Sequence, residues 1–153
     1  MELTAELDAA CSPAELFSWV EDLDRYPAWL GIVTRAVRDE GDGSGDDAVR
    51  GAWIVDLEAR LGPVARAKRL RMERTEHDPS GRVVFERREL DGRVHGRWVL
   101  RAEVTSPEGA QSHLAMRLHY DGRLWGPAVA AVLQREIEAS SRRLLALVSP
   151  DSA

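Results

Sequence analysis

The sequence predicts an α+β fold in which one antiparallel sheet curves around a single long C-terminal helix. The helix is indicated by apolar residues that recur at a 3.6-residue period between Trp125 and about Val148. The sheet is indicated by residues 32–120, where apolar and polar residues alternate in runs separated by short Gly, Pro and Asp turns. A long apolar stripe needs a large apolar partner, and the sheet is the partner that the rest of the chain provides.

Proline marks both ends of the terminal helix. Gly126-Pro127 indicates its start, because proline is tolerated in a first helical turn, and Ser149-Pro150 indicates its end. At about 1.5 Å per residue the helix spans roughly 35 Å, the width of a small domain. The stripe that it is expected to bury consists of Val129, Val132, Leu133, Ile137, Leu144, Leu145 and Val148.

Two short helices are expected after a first strand over Leu3–Ala10. Ser12 stands three residues before Glu15, with a proline between them, which is typical of a helix start capped by a serine hydroxyl. A second short helix is expected over residues 24–30, closed by Gly31.

Six further strands are expected between the short helices and the terminal helix, and tight turns separate them. Their predicted bounds are Ile32–Glu40, Ala48–Leu61, Val64–Glu76, Arg82–Leu90, Gly96–Thr105 and Ala110–Tyr120. Strands of this spacing are typical of an antiparallel meander.

A length of 153 residues suits one domain, expected over residues 1–149 with a short tail at 150–153. The sequence has no run of about 18 apolar residues, so no membrane span is expected. It opens without a basic patch followed by an apolar run, so no secretory signal is expected either. Cys11 is the single cysteine, which excludes an internal disulfide and favours a reducing, cytoplasmic location.

Charge is unevenly distributed around a net value of −5. Between residues 60 and 101, twelve Lys and Arg stand against six Asp and Glu. A basic segment raises the question of nucleic-acid binding. The basic residues here alternate with acids, as in Arg71, Glu73, Arg74 and Glu76, which is typical of a solvated strand surface. No nucleic-acid partner is therefore expected.

Motifs for metal, phosphate or nucleophilic chemistry are absent from the sequence. The glycine-rich segment 41–47 lacks a following helix to bind phosphate, and it fails the residue pattern of a calcium loop. The four histidines have no metal-ligand spacing, and Ser140-Ser141 has no nucleophile elbow around it. Neither a metal nor a cofactor is expected.

The large residues form the most informative pattern, because they fall on faces predicted to point toward the helix or toward the mouth beside the short helices. A single sheet curled over one helix closes poorly at its ends and tends to leave a cavity. These residues either fill that space or line an apolar pocket that contains a few polar groups. The predicted ligand-binding residues are Tyr26, Trp29, Trp53, Leu57, Phe85, Arg87, Trp98, Leu100, Met116, Leu118, Tyr120, Trp125 and Leu133.

Arg87 is the clearest polar candidate, since it shares strand parity with Val83 and Phe85. A buried unpaired cation costs several kcal/mol, on the order of 3–5. An inward-pointing Arg87 is therefore expected to meet an acid, a water or a ligand oxygen. Arg74 is a further polar candidate, together with the two tyrosines, but no catalytic residue is predicted.

The segment over residues 10–29 carries a family resemblance. It has a small residue before Ser12-Pro13-Ala14-Glu15-Leu16-Phe17 and then the pattern Asp22-Leu23-x-x-Tyr26-Pro27-x-Trp29. This segment resembles the opening of the polyketide cyclase/dehydrase and lipid-transport proteins of the START/Bet v 1-like (SRPBCC) superfamily. The Asp78-Pro79 turn, the Trp98 strand and the helix after Trp125 match in the same order, so the resemblance spans almost the whole chain.

The resemblance implies the helix-grip fold, a seven-stranded antiparallel sheet around a long helix with a hydrophobic tunnel. The superfamily includes aromatase/cyclases, lipid carriers and hormone receptors, so the fold does not determine the activity. Its aromatase/cyclases typically carry arginine and tyrosine in the pocket.

Binding of a small hydrophobic molecule (a lipid, an aromatic or a polyketide-like compound) in an internal cavity is the predicted function. The alternative is a polyketide cyclase or aromatase, in which a tyrosine or arginine polarises a carbonyl of a poly-β-ketone chain while another group removes a proton. A protein-interaction module is the least favoured class, since no exposed apolar run stands out. The sequence leaves open whether any reaction is catalysed and whether the chain forms a homodimer.

Overall fold

The structure is a computed structural model that describes residues 2–39, 51–107, 112–121 and 127–148. Within these ranges the chain forms seven strands: β1 Glu2–Ala9, β2 Val33–Arg38, β3 Ala52–Leu61, β4 Val64–Asp78, β5 Arg82–Arg87, β6 Trp98–Thr105 and β7 Ser112–Tyr120. The helices are α1 Pro13–Ser18, a 3₁₀ helix Leu23–Ala28 and α2 Pro127–Val148. The predicted loop at 41–47, Trp125 and the tail at 150–153 lie outside the described residues.

All seven strands belong to one antiparallel sheet in the order β1-β7-β6-β5-β4-β3-β2. Bulges interrupt the register between Val33 and Arg35 and between Arg74 and Glu76, and bulges bend and twist the strands in which they occur. The helix α2 contacts β3 and β1, which lie toward opposite edges of the sheet. The predicted architecture, a curved sheet that holds a long C-terminal helix, is therefore confirmed.

Local sequence signals explain the opening of the chain. The Ser12 hydroxyl accepts a hydrogen bond of 3.2 Å from the Glu15 N–H, and a proline occupies the first turn of α1. This confirms the predicted cap. The helix α1 ends at Ser18, and the 3₁₀ helix follows where a second short helix is expected.

Several strands are shorter than predicted, β2 and β3 among them, and the reason is visible at the end of β5. Strand β5 ends at Arg87 rather than Leu90, because the Glu89 carboxylate accepts a bond of 3.1 Å from the Arg71 N–H and so replaces a backbone partner. Strand β6 begins at Trp98 rather than Gly96. A Cβ at position 96 would lie 2.6 Å from the Asp121 carbonyl oxygen, so the chain there is too close to its neighbour for a larger residue.

The core lies between the concave face of the sheet and the helices. Alternate residues of β3, β6 and β7 point inward, as their spacing predicts. In α2, Leu133, Leu144 and Val148 are buried, while Ile137 is half-buried. The side-chain period thus places one stripe of the helix against the sheet.

Candidate ligand cavity

A partly enclosed cavity of about 120 Å³ lies between α2 and the part of the sheet formed by β1, β7 and β6. One end is formed by the residues that follow the 3₁₀ helix. Its lining comprises Leu3, Thr4, Ala5, Glu6, Leu7, Trp29, Leu30, Ile32, Leu100, Leu114, Met116, Leu118, Leu133, Glu136, Ile137, Ser140, Ser141 and Leu144. The inward side chains are mostly aliphatic, so the cavity suits an apolar ligand.

Residue size along β1 and β7 explains why space remains here. The strands pair so that Leu3 faces Leu118 and Leu7 faces Leu114. Between these pairs, Ala5 faces Met116. The single methyl group of Ala5 leaves room beneath α2 that a larger residue in the middle of β1 would occupy.

Three polar residues of α2 also border the cavity. Ser140 is 1% exposed, and its Oγ accepts a hydrogen bond of 3.4 Å from the Gly31 N–H. The Ser141 hydroxyl donates to the Ile137 carbonyl oxygen at 2.9 Å. A Cβ at position 31 would lie 2.9 Å from Glu136 Oε2 and 2.6 Å from Arg143 Nη1, so the two charged side chains close tightly over the glycine.

The other half of the concave face is filled by aromatic rings. The ring of Tyr26 packs 4.9 Å from that of Trp29 and 6.3 Å from that of Phe85, and Phe85 meets Trp53 edge-on at 5.6 Å. Tyr26, Phe85 and Trp53 have no exposed surface. Edge-to-face packing of this kind contributes about 0.5–1.5 kcal/mol per pair beyond area burial.

The polar atoms of these aromatics are bound within the protein. The Tyr26 hydroxyl donates to the Val20 carbonyl oxygen at 3.0 Å, and Trp53 Nε1 donates to Asp24 Oδ1 at 2.9 Å. Trp29 Nε1 donates to the Trp19 carbonyl oxygen at 3.1 Å. Burial and the nearby Asp22 carboxylate raise the pKa of Tyr26 well above its ordinary value, so its hydroxyl stays neutral.

Arg74 anchors the same region from strand β4. Its Nη1 atom donates to Asp22 Oδ1 at 2.7 Å and to the Glu21 carbonyl oxygen at 2.8 Å. Its guanidinium also lies 5.4 Å from the centre of the Trp53 ring. Arg74 therefore fixes the segment between α1 and the 3₁₀ helix onto the sheet.

Arg87 lies at the end of β5 and meets an acid. Its Nε atom lies 3.1 Å from Glu89 Oε1, and its Nη2 atom lies 3.3 Å from His95 Nδ1. Burial and the Arg87 charge lower the pKa of Lys68. Arg87 takes part in this polar cluster at the sheet end and does not line the cavity.

Trp98 and Tyr120 stack at the same end of the sheet, with ring centres 5.0 Å apart. The Trp98 ring is buried, and its Nε1 atom has no hydrogen-bond partner within the described part of the chain. Burial raises the pKa of Tyr120. Leu57 is buried on the inner face of β3.

The structure thus divides the predicted site residues into two groups. Trp29, Leu100, Met116, Leu118 and Leu133 line the cavity. Tyr26, Trp53, Leu57, Phe85, Arg87, Trp98 and Tyr120 lie elsewhere in the core or at the sheet end, and Trp125 is outside the described residues. The lining residues of β1 and the two serines of α2 were not predicted. Alternation in β1 was the available signal, since pairing β1 beside β7 brings Leu3, Ala5 and Leu7 to the concave face.

A larger depression of about 570 Å³ lies on the outer face of β1, β7, β6 and β5. It is bordered by charged residues, among them Arg82, Arg101, Glu103 and Arg117. An open, charged surface of this kind does not remove an apolar molecule from water. The inner cavity is the better candidate for a hydrophobic ligand despite its smaller volume.

The described histidines and carboxylates do not gather into a metal site. Within the described ranges, no group of three or more His, Cys, Asp or Glu side chains lies close enough to hold an ion. Each histidine instead meets one or two carboxylates, as His113 meets Asp8 at 2.7 Å. That contact raises the pKa of His113.

The curved sheet, the long helix held against it and the apolar cavity between them define a helix-grip protein. The family model described as polyketide cyclase / dehydrase and lipid transport matches residues 1–149, and the chain belongs to this family. No curated protein matches the chain by sequence. No helix in the described part of the chain is long and apolar enough to span a membrane.

Solved structures share the fold at low sequence identity. The Zhui aromatase/cyclase from Streptomyces sp. R1128 is 11% identical with a TM-score of 0.72, over 100% of this chain and 96% of that one. A START superfamily protein from Mycobacterium smegmatis is 14% identical with a TM-score of 0.69, over 97% of each chain. A protein from Thermus thermophilus is 20% identical with a TM-score of 0.72, over 100% of each chain.

Proposed function

We propose that this protein binds a small hydrophobic molecule in the cavity between α2 and strands β1, β7 and β6. The observation that carries the proposal is the aliphatic lining of that cavity, to which β1, β6, β7 and α2 all contribute. Removal of apolar surface from water gives about 25 cal/mol per Å², which is the driving force for such binding. The family description, which includes lipid transport, supports the same function.

The cavity volume indicates the size of the ligand. An apolar cavity of about 150 Å³ in another protein accommodates benzene. The cavity here, at about 120 Å³, suits a single small ring or a short branched chain. A longer ligand would require α2 or the segment 29–32 to move away from the sheet.

Polyketide cyclisation is the second candidate, favoured by the family match and by the fold shared with an aromatase/cyclase. That reaction needs one group to polarise a carbonyl and another to remove a proton. The described cavity lining contains no arginine, tyrosine or histidine. Its titratable residues are Glu136 and Glu6, and the Glu6 carboxylate is exposed 3.5 Å from His113 on the outer face of the sheet. The hydroxyl of Tyr26 and the guanidinium of Arg74 are held by protein partners. Binding without chemistry is therefore the function that the geometry supports best.

Filling the cavity tests this proposal. Ala5→Leu adds three carbons inside the cavity, whereas Ala115→Leu adds the same atoms to the outer face of β7. Isothermal titration calorimetry with ethylbenzene should detect binding at about one molecule per chain to the unmodified protein and to Ala115→Leu. Ala5→Leu should lower the affinity by about tenfold or more, because the added atoms overlap the ligand. Equal affinity for all three proteins would overturn the proposal.

The cytoplasm is the proposed location, which suits a free thiol such as that of Cys11. Cys11 is buried, and its Sγ atom lies 3.5 Å from the Ser112 hydroxyl. No nucleic-acid partner is proposed. A homodimer stays a prediction that sedimentation analysis can test.

A further inference from the structure

We infer that the depression on the outer face of β1, β7, β6 and β5 is a second ligand site, and that it binds a phosphate monoester of a polar small molecule. Arg101 and Arg117 hold the phosphate group. The inner cavity takes no part in this site, because the side chains that border the two spaces point to opposite faces of the sheet.

Strand register brings Arg101 and Arg117 together. Arg117 of β7 faces Arg101 of β6 directly, and both border the depression with exposed side chains. In the same row across the sheet, β1 contributes Thr4 opposite Arg117, and β5 contributes Val84 opposite Arg101. Residues directly opposite on antiparallel strands have Cβ atoms about 4.5–5.5 Å apart. Two guanidinium groups at this spacing can reach one anion together.

Neither arginine has an ion-pair partner among the described residues. No carboxylate in that part of the chain lies within 4.0 Å of Arg101 or Arg117. Arg82, which borders the same depression, does have a partner, since its Nε atom lies 3.6 Å from Glu76 Oε1. Like charges directly opposite each other destabilise a sheet, so the pair of arginines does not serve the stability of the fold. An anion between the two side chains would neutralise their repulsion.

A phosphate suits this pair better than a carboxylate does. A single arginine can satisfy a carboxylate through two parallel hydrogen bonds, whereas a phosphate monoester presents three terminal oxygens to two guanidinium groups. Its charge of about −1.5 to −2 at pH 7 also matches two arginines. The hydroxyl of Thr4 borders the depression beside Arg117 and is a further donor.

The rest of the depression limits what the phosphate is attached to. Its border contains three arginines and two glutamates, Glu6 and Glu103, so one net positive charge remains. A polyphosphate or a nucleic acid would bring more negative charge against these glutamates and is disfavoured. The volume of about 570 Å³ is far larger than one phosphate group and is typical of small-molecule sites. Charged walls suit a polar body whose hydroxyls donate to the carboxylates.

Glucose 6-phosphate and glucose test the site, because they differ only in the phosphate. Calorimetry should show one molecule of glucose 6-phosphate bound per chain and no binding of glucose. Arg101→Gln and Arg117→Gln should each lower the affinity by about tenfold or more, since charge-assisted hydrogen bonds are lost. Arg69→Gln is the matched control, because it removes an exposed charge from the same face of the sheet outside the depression. It should change the affinity by less than about twofold.

Thermal unfolding separates a binding role from a structural one. Because the two arginines repel each other, Arg101→Gln and Arg117→Gln should keep or raise the melting temperature of the unliganded protein. Glucose 6-phosphate should raise the melting temperature of the unmodified protein but not that of these variants. Ala115→Leu adds atoms to the depression between Glu6 and Glu103 and should also lower the affinity for glucose 6-phosphate. It thus has the opposite consequence here to its neutral effect on ethylbenzene.

A lipid headgroup is the other source of a phosphate monoester, and phosphatidic acid in phosphatidylcholine vesicles represents it. If the protein sediments with these vesicles through Arg101 and Arg117 but does not bind glucose 6-phosphate, the phosphate site stands and the polar body is overturned. If neither binds, or if Arg69→Gln lowers the affinity as much as Arg101→Gln does, the inference is overturned. Binding of ethylbenzene in the inner cavity, and with it the proposed function, is unaffected by either result.

Discussion

The two halves of the concave face share the same alternation of inward and outward residues, but one half is filled and the other contains a cavity. In the half formed by β3, β4 and β5, Phe85 meets the rings of both Tyr26 and Trp53, and the space beneath the short helices is filled. In the half formed by β1, β7 and β6, aliphatic residues and Ala5 leave a cavity. Side-chain volume decides which half is packed core and which half can admit a ligand.

The halves also differ in how they are held together. The filled half contains a buried cation, Arg74, which is tied to Asp22 and to the Glu21 carbonyl oxygen. The charged contacts of the cavity half lie at the surface, as in the pair of His113 with Asp8. We therefore expect substitutions in the filled half to affect stability more, and substitutions in the cavity half to affect binding more.

The largest expected effect is on the ion pair of Arg74 with Asp22, in which the guanidinium is buried and the carboxylate is 35% exposed. Asp22→Ala removes the carboxylate that lies 2.7 Å from Arg74 Nη1 and should lower the free energy of unfolding by about 2 kcal/mol. Asp56→Ala is the matched control, because Asp56 pairs at the same 2.7 Å with Arg69, whose side chain is 69% exposed where that of Arg74 is 8% exposed. It should cost less than about 1 kcal/mol. Urea denaturation measures both, and equal losses would show that burial does not distinguish the two pairs.

Adding carbon atoms should have a smaller effect on the free energy of unfolding, and the sign of that effect should differ between the two halves. Ala5→Leu should stabilise the unliganded protein by about 0.5–1 kcal/mol, since it fills existing space. Val55→Leu lies in the filled half, where Val55 is 4% exposed, and should destabilise by about 1 kcal/mol through overpacking. Thermal and urea unfolding of the unliganded variants test the signs. Stabilisation by Val55→Leu would mean that the filled half also contains usable space.

The sequence was sufficient to predict the architecture, because the period of the apolar residues and the turn residues directly indicate local secondary structure. The seven strands, the capped α1 and the terminal helix were predicted, and the errors lie at ends such as Leu90, where the Glu89 side chain replaces a strand hydrogen bond. The location of the cavity was harder to predict. Strand parity shows that Trp53 and Phe85 point inward, but it does not show that Phe85 packs between Trp53 and Tyr26 so that the three rings fill the space.

The aspartates of the opening motif illustrate the same limit. The pattern from Asp22 to Trp29 resembles the family's opening segment. The structural roles of its two aspartates, however, depend on contacts with residues far away in the sequence. Asp22 binds Arg74, and Asp24 accepts from Trp53. The residues in these two contacts are separated by 52 and 29 positions in the sequence. Such contacts follow from the pairing of strands and cannot be predicted from the local sequence. The motif therefore builds the packed core beside the cavity and contributes Trp29 to the lining, while most of the apolar lining comes from β1, β7, β6 and α2.

The smallest expected effect is a pH dependence in the cavity half. The hydrogen bond to Asp8 and the nearby Glu6 raise the pKa of His113 above its unfolded value of about 6.5. A raised folded pKa means that the charged histidine stabilises the fold at low pH, and this contribution is lost as pH rises through the folded pKa. The unmodified protein should therefore lose a small part of its free energy of unfolding between about pH 6 and 8. The loss should be small because the contact is an ion pair near the surface.

His113→Gln isolates this contribution, because glutamine keeps a polar side chain between β7 and β1 but does not titrate. The difference in free energy of unfolding between the two proteins should be largest near pH 6 and should shrink toward pH 8, as measured by urea denaturation at each pH. Carboxyl groups ordinarily titrate near about pH 4, below this range, so the histidine accounts for the slope at this contact. A difference that stays constant with pH would show that the contact of His113 with Asp8 does not stabilise the junction of β1 and β7.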